Sequence, residues 1–471
     1  MAMSICALTI PRGKIRETGE KLTLIFQPDM VELQYILTAN AAWKQWVYTV
    51  TDEVVMETVK DLFLQALGAS LQNKTVDWEG DYTASQWCAL FDMAASQNVL
   101  PMIFDAVIRS PAAQKADPQL LAAVKRQVRQ LVMLQTIRTD AFLKLMRELT
   151  ASGVTPLVVK GIVCRALYPN PDYRMSADED LLIPEEQFSL CHQTLLSYGL
   201  EMKNPEQDLD DFEISYGQKG SGLHIELHKQ LFSPASEAYG ELNRFFENVH
   251  RNSVTQTVQG VPVPTVHPTD HLFYLICHSF KHFLHSGFGI RQVCDICLYA
   301  NAFGSRIDWD QICRQCEAIR ADIFAAALFR IGEKYLIFSP EAACCPAQWR
   351  NLEVDEGAML EELLDSGVFG GSCMSRKHSS NMTLQAVADR KQGKKGGNGI
   401  WKTLFPSAES LSGRYPYLKK KPYLLPVAWT DRIVKYRREI AAGSGGNNAA
   451  ESIRIGNERI GLLKQYGIID R

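Results

Sequence analysis

The order of hydrophobic periods predicts an α+β fold: a small mixed β-sheet core flanked by N- and C-terminal helical regions. Three observations carry that prediction. Helical periodicity dominates from residue 54 to 149 and returns beyond Pro268. Between these stretches the period changes: Thr155-Pro-Leu-Val-Val-Lys160 is a short apolar, β-branched run closed by Gly161. From there to about residue 232 short strands and helices alternate, the pattern of a small layered domain. A chain of 471 residues, 46% hydrophobic and 22% charged, is long enough for about two to four such units, and its composition is that of neither a disordered nor a fibrous protein.

The elements follow in order. Residues 1–55 carry no clear period and read as a poorly defined extension, with Met56 opening the first regular stretch. Detection of the native N-terminus by mass spectrometry tests that expectation. The short apolar stretch at the start has its positive charges behind it, the wrong order for a secretory leader. Val54 to Leu71 spaces Val55, Val59, Leu62, Phe63 and Ala66 helically, and residues 85–149 continue the pattern, so 56–152 forms a helical region. The core is expected over 153–267. Within it, 155–160 is a buried strand and 162–168 a short helix stopped by Pro169 and Pro171. Ser176–Ile183 is a second strand, 185–198 a helix, and 222–227 a third strand. A second helical region, 268–340, contains helices at 269–286, 288–303, 308–318 and 320–337. An irregular, basic region over 341–440 includes a Ser-, Gly- and Lys-rich surface loop at 374–399. A linker at 441–450 and a terminal helix at 451–465 complete the chain, in the segment 441–471.

The chemistry concentrates in three acids. Asp178 and Asp180 stand two apart in RMSADEDLLIP, and side chains two apart on a strand share a face about 7 Å apart. Carboxylates so placed repel unless a cation lies between them. Asp is depleted in strands, so its presence here runs against propensity. Glu226, central in the strand HIEL, is a third acid where packing prefers a hydrophobe. Oxygen donors converging from adjacent strands suit Mg²⁺ or Mn²⁺. At Lys160-Gly161 the absent side chain lets a phosphate approach the backbone, the helix N-terminus supplies N–H groups, and Lys160 adds a point charge. Arg174 neutralises charge or braces the acids, and Ser176, on the same predicted strand face, bonds a ligand or an acid. His228 shares the face of Glu226 and is a candidate for orienting it or moving a proton.

The order VVKG…YRMSADEDLLIP…LHIELH resembles an uncharacterised bacterial nucleotidyltransferase family of the DNA-polymerase-β-like superfamily. The lead-in from Trp87, HSFKH, Arg291 with Asp295, and LFPS…YPYLKKKPYLLPVAW resemble further family features. The resemblance spans about 56–437, with its specific motifs at 157–228. It implies that Asp178, Asp180 and Glu226 bind the metals and that Gly161 lies at the nucleotide-phosphate turn. It further implies transfer of an NMP group from an NTP, such as ATP, to a hydroxyl-bearing acceptor (small molecule, protein or RNA) with release of pyrophosphate. Two departures stand out: Lys160-Gly161 replaces the superfamily's Gly-Ser, and Glu179 stands where an apolar residue is usual. Glu179 points to the opposite sheet face, so either that face is open or a partner such as an Arg meets it.

Other constellations have competing readings. Cys294-x₂-Cys297 and Cys313-x₂-Cys316, fifteen residues apart, match zinc spacing but lie within helical patterns, where buried cysteines are common. His271, His278, His282 and His285 share one helical face, read as a polar face towards a cleft or solvent, with Lys281 or His282 reaching substrate. Nine Lys or Arg between 390 and 421, interleaved with Trp401, Phe405, Tyr415 and Tyr417, suit a solvated loop or polyanion contact. A net charge of −3 argues against wholesale nucleic-acid binding, and no apolar run is long enough for a membrane helix. Twelve cysteines in such a chain suit a reducing, cytoplasmic setting. The resulting expectation is a metal-dependent nucleotidyltransferase. Its rivals are a toxin–antitoxin-type or nucleic-acid-associated protein modifying tRNA or protein, and a non-catalytic interaction protein on a degenerate fold.

Overall fold

A computed structural model describes residues 53–366, 374–393, 408–411, 415, 417–441 and 449–469. Nearly all of the expected extension lies outside these residues, as do 394–399, Trp401, Lys402, Phe405, Arg414 and the linker at 442–448.

The architecture is mixed α+β, with one seven-stranded sheet between helical regions. The N-terminal helices are α1 (Glu53–Leu71), α2 (Ala84–Ser96), α3 (Leu100–Val107) and α4 (Pro118–Ala151). Each start has a local cause. Thr83 and Gln86 form a reciprocal capping box on α2, and Asp117 caps α4, with Pro118 in its first turn. Their apolar faces meet through Phe63, Trp87, Phe91 and Phe104, with Trp87 stacked on Phe91 at 5.7 Å.

Gly153, at φ 77°, turns the chain out of α4 into the sheet. The strands are β1 (Leu157–Val159), β2 (Glu179–Leu182), β3 (Glu201–Met202), β4 (Glu213–Gly217), β5 (His224–His228), β6 (Val254–Val258) and β7 (Val261–Thr265), in the order β3-β4-β5-β2-β1-β7-β6. β2 runs parallel to β5 and antiparallel to β1. The sequence reading marks β1, β2 and β5 and misses the others. β7 reads Val-Pro-Val-Pro-Thr, and its prolines argue against a strand. They are tolerated because β7 pairs along its length only with β6 and meets β1 at Thr265 alone. The Gln259-Gly260 turn joining this hairpin has both residues at positive φ. The second strand is also shorter than expected: residues 176–178 form a bend, and regular pairing begins at Glu179.

α5 (Gly161–Arg165) follows β1 and α6 (Glu185–Ser197) follows β2. Beyond the sheet come α7 (Pro268–His285), α8 (Ile290–Phe303), α9 (Trp309–Ala318) and α10 (Asp322–Tyr335), close to their expected bounds. The stretch expected as a loop from 374 is instead helical: α12 (Met374–Lys391), after α11 (Glu356–Ser366), packs on α7 and on the terminal α14 (Ala449–Gln465), with α13 (Leu425–Ala441) between them in sequence. Tertiary packing explains the difference. Thr383, Val387 and Ala388 are buried, and Gly456 leaves room for Met382. Arg390 and Lys391 are tied internally, to the Ile468 carbonyl and to Glu241 with the Ala238 carbonyl, so these two members of the basic stretch are committed within the fold.

The terminal helix is pinned by Arg459, which donates to the Phe283 and His285 carbonyls at the end of α7 and pairs with Glu362 of α11. Without Arg459, Glu362 keeps Arg376 as a partner, but the Phe283 and His285 carbonyls lose their donor. Arg459→Met is therefore expected to cost about 1–3 kcal/mol, read as a fall in the urea unfolding midpoint.

Candidate active site

Strand register determines the site. Asp180 of β2 lies directly beside Glu226 of the parallel strand β5, neighbouring strands being about 4.8 Å apart. Their side chains share one sheet face with His228, while Glu179, Ile225 and Leu227 face the other way. One ligand atom from each of Asp180, Glu226 and His228 lies within 4.8 Å of the others, and among the described residues this is the group of acids, His or Cys gathered for a metal ion.

The electrostatics follow from that crowding. Lys160 Nζ pairs with Asp180 Oδ2 at 2.8 Å and contacts His278 Nε2 at 3.3 Å. Burial alone would lower the Lys160 ammonium, but Asp180 and Asp178 hold it well above its ordinary value. Burial alone would likewise raise Asp180; Lys160 and the His228 hydrogen bond at 3.2 Å outweigh it and hold the carboxyl well below the usual range. Glu226 is met less closely, by His228 Nε2 at 3.8 Å and by the charge of Lys160. Burial, then Asp180 and Asp178, push it up to about 9.

Asp178 differs from expectation. It precedes β2, half-buried in the bend, and His228 rather than Asp178 completes the close group. Its charge still acts on Lys160 and Glu226. The expected phosphate turn at Gly161 is also differently used. Glu179 enters it from the opposite face: its Oε2 accepts from Ile162 N at 2.7 Å, and its Oε1 pairs with Arg165. A Cβ at Gly161, where φ is 36°, would overlap that carboxylate. The glycine thus admits the protein's own anion, and the sheet face that an acid leaves open is closed by Arg165.

Arg174 and Ser176 are built into the same substructure. Arg174 is buried and makes a two-pronged pair with Asp295, both bonds 2.7 Å, while Tyr168 donates to the same carboxylate. Ser176 accepts from Arg165 at 2.8 Å and its N–H is held by Gln135. The braces missed in sequence, Arg165 and Gln135, carry no local signal; they meet this segment only through packing.

The histidine face of α7 borders the site, as a roof over Lys160, but its members differ. His271 is fully buried, accepts the Lys160 N–H at 2.9 Å, and is lowered to about 3 by burial. It is therefore not a cleft- or solvent-facing group. Lys160 sits at φ 63°, and that bond helps hold the strained backbone. His278 contacts Lys160 and His282, and burial, then the Lys160 charge, keep His278 well below its usual range. His285 bonds Tyr239 instead. Lys281 is half-buried and within electrostatic reach of Asp180 and Glu226. Cys294, Cys297, Cys313 and Cys316 are buried free thiols within α8 and α9 and join no metal-binding group.

The model of an uncharacterised nucleotidyltransferase family matches residues 83–336, from the start of α2 through α10. The chain belongs to this family. Membership of a nucleotidyltransferase family covers the whole sheet and both acids of the β2–β5 pair, and it carries the general activity, transfer of a nucleotidyl group. No curated protein and no solved structure matches the chain significantly. No helix among the described residues is long and apolar enough to cross a membrane.

Two outcomes check the braces around this nucleotidyltransferase site. Gly161→Ala should cost about 2–4 kcal/mol by strain and overlap, and less in a Glu179→Ala background, which removes the conflicting atoms; urea midpoints of the four-member cycle measure this. For Asp295, burial would raise the carboxyl, but Arg174 outweighs it and lowers it. A folded-state value below the unfolded value of about 3.9 contributes stability above that pH, lost as pH falls through the folded value. The stability gap between the wild type and Asp295→Asn should hold steady from about pH 8 to 5 and narrow below about pH 4, by urea unfolding at each pH.

Proposed function

We propose that this chain transfers an NMP group from an NTP to a hydroxyl-bearing acceptor, releasing pyrophosphate, at a divalent-ion centre formed by Asp178, Asp180 and Glu226. The observation that carries the reading is the side-by-side placement of buried Asp180 and half-buried Glu226 on parallel strands, with a lysine as counter-charge. Carboxylates opposed across a sheet are unfavourable for packing, so the arrangement is best explained by a cation-dependent task.

The donor set fits Mg²⁺ or Mn²⁺: three carboxylates offer hard oxygen ligands, and His228 adds an imidazole that Mn²⁺ accepts more readily. When bound, such ions favour deprotonation of the acceptor hydroxyl and neutralise charge on the departing phosphate. In the reaction the acceptor oxygen bonds to the α-phosphorus, the bridging α–β P–O bond breaks, the hydroxyl proton leaves to base, and pyrophosphate departs. Asp180 is oriented by His228 and Lys160, one on each oxygen. Lys160 lends a positive charge beside the phosphates, and Lys281 with His282 meet the acceptor or the donor, a role supported by the electrostatic reach of Lys281 to Asp180 and Glu226 and by the contact of His282 with His278. The ten described cysteines are free thiols, which supports a reducing, cytoplasmic setting.

Asp180→Asn and Glu226→Gln should each reduce incorporation of labelled nucleotide by about 10²–10³-fold or more while leaving the circular dichroism spectrum unchanged. Chelation with EDTA should do the same to the wild type, and Mg²⁺ or Mn²⁺ should restore it. Undiminished transfer by both variants would sink the reading.

A further inference from the structure

Strand register adds Glu213 to the sheet face that carries Asp180, Glu226 and His228. Glu213 of β4 lies directly opposite His228 of β5, so the four side chains share one side of three adjacent strands. His228 is buried, and its two ring nitrogens face different acids. Nε2 is 3.2 Å from Asp180 Oδ1 and 3.8 Å from Glu226 Oε2, whereas Nδ1 is 3.7 Å from Glu213 Oε2. Lys160 holds the other oxygen of Asp180, so Oδ1 is the one turned towards the imidazole.

These separations have the size that a single ion requires. Donors about 2.1 Å from an octahedral cation and at right angles to one another lie about 3.0 Å apart. The contact of Nε2 with Asp180 is near that length, and its contact with Glu226 is within an ångström of it. An imidazole that ligates through Nε2 carries its hydrogen on Nδ1, and ligating rings commonly direct that hydrogen at a carboxylate. Glu213 is the carboxylate on that side, just outside hydrogen-bond distance. Asp178, in the bend before β2, is not part of this close group.

We propose that His228 is a direct ligand of the divalent ion that Asp180 and Glu226 bind, and that Glu213 is the positioning residue that orients its ring. The assignment rests on the metal-dependent nucleotidyltransferase reading and names the cation that reading leaves open. Mg²⁺ suits oxygen donors, imidazole suits transition metals, and Mn²⁺ accepts both. A centre of two carboxylates and one imidazole therefore selects Mn²⁺ over Mg²⁺.

The test loads the full chain, stripped of metal by chelation, with Mn²⁺ and reads the nitrogen modulation of its electron spin echo, which reports an imidazole bound to the ion. Calorimetry gives the Mn²⁺ and Mg²⁺ affinities alongside. The wild type should show the modulation and bind Mn²⁺ at least about tenfold more tightly than Mg²⁺. His228→Gln should lose the modulation and most of the Mn²⁺ preference, while its Mg²⁺ affinity falls less than about threefold. Glu213→Ala should keep the modulation but weaken Mn²⁺ binding by about 10–100-fold, and Glu213→Asp should recover part of that loss. Mn²⁺ bound without modulation in the wild type overturns the ligand assignment, whether or not His228→Gln folds. Modulation retained in folded His228→Gln overturns it equally, and in both cases intact transfer by the wild type leaves the nucleotidyltransferase reading standing. Nitrogen-coupled Mn²⁺ in a wild type that transfers no nucleotide sustains the site and overturns that reading. A wild type that binds no Mn²⁺ at millimolar concentration, with or without NTP, overturns the assignment outright, and transfer under Mg²⁺ then decides the nucleotidyltransferase reading.

Discussion

Two carboxylates held side by side on adjacent strands, Asp180 and Glu226, set the terms for everything around them. Like charges in that position repel, and burial strengthens the repulsion. The fold answers with one cation, Lys160, placed where β1 ends and α5 begins. To reach Asp180 its backbone takes a positive φ, which a non-glycine residue accepts only when its surroundings enforce it. His271 supplies part of that enforcement by accepting the Lys160 N–H, and it stays neutral because it is buried. The α7 helix is therefore bound to the sheet through the same residue that balances the acids.

A second set of charges holds the bend that carries Asp178. Arg165 and Arg174, thirteen and four residues ahead of Asp178, pair with acids from β2 and α8. Ser176 and Gln135 complete the bracing. These pairs are structural by their burial, yet they determine where Asp178 can sit. Glu179 shows the economy of the arrangement: one side chain satisfies Arg165 and caps α5 at once.

How much of this was legible in sequence depended on whether the signal was local. Asp180 and Glu226 stand out because an acid inside a strand contradicts propensity, and the three strands that carry the β1–β2–β5 centre have clear apolar runs. An arginine partner for Glu179 followed from the same logic, since a buried carboxylate needs one. Less legible were the places where a local motif has two solutions. A glycine at the start of a helix admits a phosphate or a carboxylate, and the approach of Glu179 to Gly161 has no local signal. The strand expected from Ser176 starts at Glu179 because the preceding backbone is spent on Gln135 and Arg138. The Ser- and Lys-rich segment after 374 is helical because α7 and α14 cover it, which no property of the segment itself announces.

The last of these has a bearing on the centre itself. The family match ends at residue 336, yet α7, which roofs the acids, is finished by residues beyond it. Helix ends leave carbonyls without intrahelical partners. In α7 the carbonyls of Phe283, Leu284 and His285 are taken by Arg459 and Thr383, from α14 and α12. His278, Lys281 and His282 lie within the two turns just before that end. Fraying of the last turn would release them first, because helix stability is lowest at the termini. The described C-terminal helices thus support the site through α7: they keep the roof helical as far as the residues that face Lys160 and the acids.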